Sequence, residues 1–128
     1  MSLTTNISTP KRGEVWLVNF DPTVGAEIRK VRPAVVISSD TIGRLPIKLI
    51  APITDWKLYF VNNIWHVKIE LDSSNGLAKT SAVDALQLRG IDKQRFIRKL
   101  GKLSVTTMEE ITIAIAAVIE YVEAPEQR

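Results

Sequence analysis

Strand-like patterns run through the chain from Glu14 to Leu88, and helical periodicity enters only beyond them. That order argues for a small, mainly antiparallel barrel or curled sheet with helices packed on it. The strand segments are Glu14 to Phe20, Ala34 to Ser38, Ile47 to Ile53, Trp65 to Leu71 and Ala82 to Leu88. In the clearest of them, Trp65, Val67, Ile69 and Leu71 alternate with His66, Lys68 and Glu70, which gives one buried and one wet face near a sheet edge. Ala34 to Ile37 and Leu49 to Ala51 are continuously apolar and suit strands covered on both sides, with Pro33 and Pro52 favouring extended backbone.

Two helices are expected after the strands. Asp92 is placed to cap the first, Phe96, Ile97 and Leu100 give it an apolar stripe, and Gly101 sits at its terminus. The second begins at a capping box, Thr106 with Glu109 or Thr107 with Glu110, and carries Met108, Ile111, Ile115, Val118, Ile119 and Val122 along one face, ending near Glu123. The fold class is therefore mainly β with C-terminal helices (α+β). A length of 128 residues with 45% hydrophobic content suits one domain. Its expected limits are 11–124, with a polar arm over 1–10 and a short tail over 125–128. The turn Asp21 to Gly25 opens an exposed excursion that carries Glu27, Arg29 and Lys30. A second break runs from Asp55 to Ile64, preferred as a loop over a hairpin, and a third from Asp72 to Gly76.

Composition removes whole classes of chemistry. The chain has no cysteine and one histidine, His66, so it offers no disulfide, no thiolate metal site, no cysteine nucleophile and no pair of imidazoles. It is expected to be cytoplasmic. Ile113 to Ile119, the most apolar stretch, falls far short of the ~20 residues of a membrane span. Net charge is only +3, but basic residues concentrate between Gln87 and Lys102, whereas acids dominate from Leu103 onward. A basic face permits a nucleic-acid partner. There is no nucleophile elbow, no phosphate-binding P-loop and no HExxH or carboxylate-rich metal signature. DNA hydrolysis usually relies on metal to activate water, whereas RNA carries its own nucleophile in the 2′-hydroxyl and needs only a base, donors for the developing phosphorane and positioning.

Particular residues then become recognisable. Arg12-Gly13-Glu14-Val15-Trp16, Phe20-Asp21-Pro22-Thr23-Val24-Gly25-Ala26-Glu27 and Arg32-Pro33-Ala34-Val35-Val36-Ile37-Ser38 together closely resemble the signature of the MazF/PemK toxin family. Ala51-Pro52-Ile53-Thr54, His66-Val67-Lys68-Ile69, Asn75-Gly76-Leu77, Ser81-Ala82-Val83-Asp84 and Gln87-Leu88-Arg89-Gly90-Ile91-Asp92 continue it in family order, so that the resemblance spans Lys11 to Tyr121. It implies an SH3-like small barrel of the MazF/PemK/CcdB type and a homodimer. It also implies a sequence-specific endoribonuclease of a toxin-antitoxin module, cutting single-stranded RNA without metal or cofactor to 2′,3′-cyclic phosphate and 5′-hydroxyl ends. The implied partners are RNA, a MazE-like antitoxin and, only through the antitoxin complex, operator DNA.

The resemblance also assigns roles. Arg32 and Thr54 become the leading catalytic candidates, a charged fork for phosphate oxygens and a hydroxyl donor. Glu27 accepts the 2′ proton, orients Arg32 by an ion pair, or is purely structural. Arg29, Lys30 and Lys57 are placed to meet RNA phosphates, with simple solvation the alternative for Arg29 and Lys30, and Trp56 either stacks a base or belongs to the core. Asp84, placed with the RNA-binding candidates, matches an aspartate that some branches carry in the site, although the arginine those branches place two positions earlier is Ala82 here. His66 is read as structural. Structural alternatives for the leading pair are that Arg32 binds Glu27 and Thr54 caps a turn. Alternative functions on the same fold are a CcdB-like toxin that binds a protein target and a catalytically silent RNA- or DNA-binding module.

Overall fold

A computed structural model describes residues 9–122, so most of the expected arm and all of the expected tail lie outside the described residues. The strands are β1 (Glu14–Asn19), β2 (Val31–Val36), β3 (Ile47–Asp55), β4 (His66–Ile69), β5 (Ser81–Asp84), β6 (Arg89–Asp92) and β7 (Phe96–Lys102), followed by a single helix, α1 (Val105–Val118). Every pairing is antiparallel, in the order β4-β5-β3-β2-β1-β7, with β6 also on β3. The long strand β3 makes the sheet curl, because its first half pairs with β6 through Ile47 to Ile50 and its last residues pair with β5 through Ile53 to Asp55.

Alternation along the central strands divides the core in two. Val15, Val35, Ala51, Ile53 and Val83 face α1 and pack with Met108, Ile111 and Ala114. Trp16, Val18, Ala34, Val36 and Ile50 face the other way and pack with Phe20, Ile91 and Phe96, where Trp16 and Phe96 meet edge to face at 5.7 Å. Burial on both faces is the physical reason for the continuous apolar run in β2. β4 ends the sheet, with Val67 and Ile69 buried and Lys68 and Glu70 exposed, as its alternation predicts. His66 departs from the wet face: its side chain is only 7% exposed.

The expected helix from Asp92 to Gly101 is a strand. Asp92 does cap, its carboxylate accepting from the Gln94 amide, but the turn it starts is a single 3-10 turn, Lys93–Arg95. β7 then pairs along β1, whose backbone groups on that side have no other strand. Completing that ladder satisfies two rows of polar groups at once, and it overrides local helical pattern. Gly101 serves a different purpose from the one its position predicts. A Cβ there would lie 2.3 Å from the Ser74 carbonyl oxygen, so glycine lets the 72–80 loop cross β7. The segment expected as a strand from Ala82 to Leu88 is divided by a 3-10 turn, Ala85–Gln87, which interrupts the chain between β5 and β6 as both run antiparallel to β3. Finally, α1 is capped by Ser104, whose hydroxyl accepts from the Thr107 amide, rather than by a threonine two or three residues later, and it ends at Val118.

Candidate active site

Arg32 and Thr54 reach the same cleft from different strands. Arg32 stands opposite Val18 near the start of β2, and Thr54 stands opposite Ala82 near the end of β3. Both are partly buried, and both line a cleft of about 280 Å³ walled by Leu17, Pro33, Ile53, Leu77 and Leu100. The Arg32 Nε donates to the Arg29 carbonyl at 3.2 Å. Among the described residues no carboxylate lies within ion-pair distance of Arg32, so its two terminal nitrogens have no acidic partner. Two further cations line this cleft, Arg98 from β7 and Lys79 from the 72–80 loop, the latter paired with Asp55 at 2.9 Å.

The wall that carries Lys79 is held tightly. Asn75 is buried, its Oδ1 accepting from the Asp72 and Leu77 amides while its Nδ2 donates to the Glu70 carbonyl. Gly76 has φ +69°, and a Cβ there would lie 2.1 Å from the Leu100 carbonyl oxygen. Only glycine combines that left-handed backbone with that approach.

Glu27 occupies an adjoining cleft of about 420 Å³ together with Phe20, Ile28, Gln87 and Arg89; neighbouring residues of β3, Pro52 and Ile53, line the two clefts. Its carboxylate accepts from the Val24 amide at 2.6 Å, within its own turn, and no ion pair joins it to Arg32. Arg29 and Lys30 are exposed on the same connection. Lys30 adopts φ +69°, a left-handed backbone held by Asp21 Oδ1, which accepts from the Lys30 amide, and by the Lys30 carbonyl, which accepts from Phe20. Trp56 is partly buried, edge to face with Phe60 at 5.8 Å and with the Lys68 ammonium 5.2 Å from its ring centre; Lys57 beside it is exposed. Of the break expected from Asp55 to Ile64, Asp55 closes β3 and the rest is a loop whose one regular turn is the 3-10 turn Leu58–Phe60.

Asp84 sits deeper than the other candidates. It is buried, with Oδ1 accepting from the Leu86 amide at 3.0 Å and Oδ2 from Gln87 Nε2 at 3.1 Å. His66 Nε2 lies 3.8 Å from Oδ2, and the imidazole stacks on Phe60 at 3.7 Å. Burial pulls the His66 pKa below its ordinary value, against the opposing pull of Asp84. At the far end of β1, burial pushes the Glu14 carboxyl up. The Trp16 indole, the Lys11 amide and Lys99 outweigh burial and hold it below the ordinary carboxylate value. Sequence pattern did not single out Gln87, Lys79 or Arg98 as lining residues. Only the basic run from Gln87 to Lys102 hinted at the last.

Among the described residues, no three acidic or imidazole side chains gather as metal ligands, and no helix is long and apolar enough to cross a membrane. Comparison with known proteins agrees with the fold. The chain is 36% identical over 106 residues to an endoribonuclease MazF of Staphylococcus saprophyticus, covering 82% of this chain and 87% of that protein. Its fold matches a crystal structure of MazF from Deinococcus radiodurans with a TM-score of 0.73 at 20% identity, covering 88% of this chain and 98% of that one. It also matches a mycobacterial endoribonuclease solved with its cognate antitoxin, with a TM-score of 0.72 at 18% identity over 91% of this chain and 100% of that one. The family described as PemK-like, MazF-like toxin of type II toxin-antitoxin system matches residues 11–119, nearly the whole described fold, and the chain belongs to that family.

Proposed function

We propose that this chain is the toxin of a type II toxin-antitoxin module and that it cuts single-stranded RNA by internal attack. The observation that carries the reading is the meeting of Arg32 and Thr54 in one cleft, with no acid among the described residues neutralising the guanidinium. In the proposed reaction the 2′-oxygen forms a bond to phosphorus as its proton leaves. The bond from phosphorus to the 5′-oxygen breaks, and that oxygen takes up a proton. The products are a 2′,3′-cyclic phosphate and a 5′-hydroxyl. Arg32 holds two non-bridging oxygens and Thr54 donates to one of them, both gaining strength as charge builds on the phosphorane. Glu27, exposed and unpaired with Arg32, is assigned as the base for the 2′ proton. Arg29, Lys30 and Lys57 meet backbone phosphates, and Trp56 offers an aromatic edge for an unstacked base.

The toxin acts as a cytoplasmic homodimer that needs no cofactor and is restrained by a MazE-like antitoxin, with operator DNA reached only through their complex. Support for the partner comes from the mycobacterial endoribonuclease solved with its cognate antitoxin. The test is cleavage, in EDTA, of an RNA and of its twin bearing a single 2′-deoxy nucleotide at the cut position. The normal strand should be cut to a cyclic phosphate and the deoxy strand should survive. Cutting of the deoxy strand at the same bond, or activity lost in EDTA and restored by magnesium, refutes internal attack. A folded protein that leaves long single-stranded RNA intact favours a protein target instead.

A further inference from the structure

The connection from Asp21 to Lys30 holds Glu27, Arg29 and Lys30, yet it is tied to the barrel by a side chain from a distant part of the sequence. The Ile28 amide donates to Gln87 Oε1 at 2.7 Å, across 59 positions. The other end of the same amide is also engaged, since Gln87 Nε2 donates to Asp84 Oδ2 at 3.1 Å. A carboxylate only accepts, so Asp84 dictates which end of the Gln87 amide faces the connection. Turning Gln87 over would set its carbonyl against Oδ2 and its NH2 against the Ile28 N–H. Asp84 itself has little freedom, being 6% exposed and fixed by the Leu86 amide at 3.0 Å. Ile28 packs against the second core layer, and Glu27, Ile28 and Gln87 line one cleft.

We propose that Asp84 and Gln87 are positioning residues for RNA cleavage: Asp84 orients Gln87, and Gln87 holds Ile28 so that Glu27 and Arg29 on either side of it are presented to the substrate. The inference rests on the endoribonuclease reading and gives Asp84 a place behind the RNA surface instead of on it. It also explains why a carboxylate is buried here. Only an acceptor on both oxygens keeps the amide of Gln87 in this orientation, whereas an asparagine, its oxygen held by the Leu86 amide, would present NH2 to Gln87 and turn it the other way.

The complementarity supplies its own test. In Asp84→Asn, the Leu86 amide still requires the side-chain oxygen. The new NH2 then faces Gln87, forcing that amide over and setting donor against donor at Ile28. In Gln87→Glu, two carboxylates oppose each other. Combining them restores a donor at position 84 and acceptors at position 87, so the double variant rebuilds the bridge with its polarity reversed. Each single variant should lower kcat by about tenfold or more with KM changed far less, since misplacement of a catalytic loop acts on the chemical step. Each should also speed hydrogen exchange at the Ile28 amide by about tenfold, the worth of one such bond. The double variant should recover both readouts relative to either single variant.

Three results overturn the proposal: an unchanged Ile28 exchange rate in Asp84→Asn, a KM defect with kcat intact, or a double variant no better than the worse single one. If a single variant fails to fold, the double variant decides, because a bridge of reversed polarity should fold where its parents do not. Exchange is measured without RNA. A wild-type protein that cuts no RNA therefore refutes the endoribonuclease reading, while the exchange arm still confirms or refutes the bridge.

Discussion

Replacing Arg32 by alanine should abolish cleavage while leaving the fold nearly untouched, and the structure sets both magnitudes. Among the described residues, Arg32 makes one side-chain hydrogen bond, from Nε to the Arg29 carbonyl, at a long 3.2 Å and in an exposed setting. A bond of that kind contributes about 0.5 to 1 kcal/mol, and no carboxylate is orphaned by the change. The melting temperature of the variant should therefore fall by only a few degrees, at matched protein concentration. Catalysis loses much more. Removing one donor from a developing oxyanion costs about 2.7 to 4 kcal/mol, or about a hundred- to a thousandfold in kcat, and Arg32 offers two unengaged terminal nitrogens. The assay is single-turnover cleavage of a short RNA at saturating enzyme, beside a thermal melt and sedimentation of the same preparation. Arg32→Lys, which keeps charge but loses the fork, should fall between wild type and Arg32→Ala. Cleavage by Arg32→Ala within severalfold of wild type removes Arg32 from the mechanism, and a large drop in melting temperature shows that its role is structural.

Two further outcomes follow from buried groups. His66 has its pKa lowered on folding, so below the ordinary imidazole value of about 6.5 the unfolded chain binds the proton first; stability should fall as pH drops through that window and then level below the folded value. Glu14 adds a second loss at more acid pH, because its lowered carboxyl stabilises the fold only while ionised. Urea midpoints from pH 8 to 4 measure both, and a His66→Gln variant that keeps the first step refutes the assignment. Gly76→Ala should cost on the order of 2 to 4 kcal/mol, since it joins a left-handed backbone to a clash with the Leu100 carbonyl. Chemical denaturation reads it, and a loss below about 0.5 kcal/mol refutes the close packing of this wall.

Legibility in the sequence followed the range of the forces involved. β2 and the middle of β3 were readable because burial on both faces leaves an unbroken apolar run, and β4 because Val67 and Ile69 are buried between exposed Lys68 and Glu70. β7 was not. Phe96, Ile97 and Leu100 between an aspartate and a glycine carry helical signals, and those signals are local. The edge of β1 that claims the segment lies about eighty residues away in the chain. The site divides in the same manner. Arg32 and Thr54 stood out through motif resemblance alone, since nothing in the pattern of β2 or β3 brings them to one cleft. The partnership of Ile28 with Gln87 leaves no sequence pattern at all, because a hydrogen bond across 59 positions depends on how β5 turns into β6.

That dependence bears on why Glu27 and Arg32 do not neutralise each other. They are five positions apart in a segment rich in turn residues, and left to itself such a segment allows an ion pair that would occupy both groups before any RNA arrived. The barrel prevents this at two points. Val18 opposite Arg32 fixes the cation at the base of β2, and Gln87 on the Ile28 amide holds the acid side of the connection in the adjoining cleft, with the Glu27 carboxylate turned to Val24. A reaction that needs a free cation for phosphate and a free carboxylate for a proton requires the two close in space and unpaired. Releasing the connection at Gln87 should then do more than loosen it. An Arg32–Glu27 pair that forms in Gln87→Ala would appear as a salt-dependent inhibition, relieved at higher ionic strength, whereas RNA binding itself weakens with salt. Opposite salt trends for kcat and for RNA affinity in that variant identify the pair, and parallel trends show that separation of the two charges is not what Gln87 maintains.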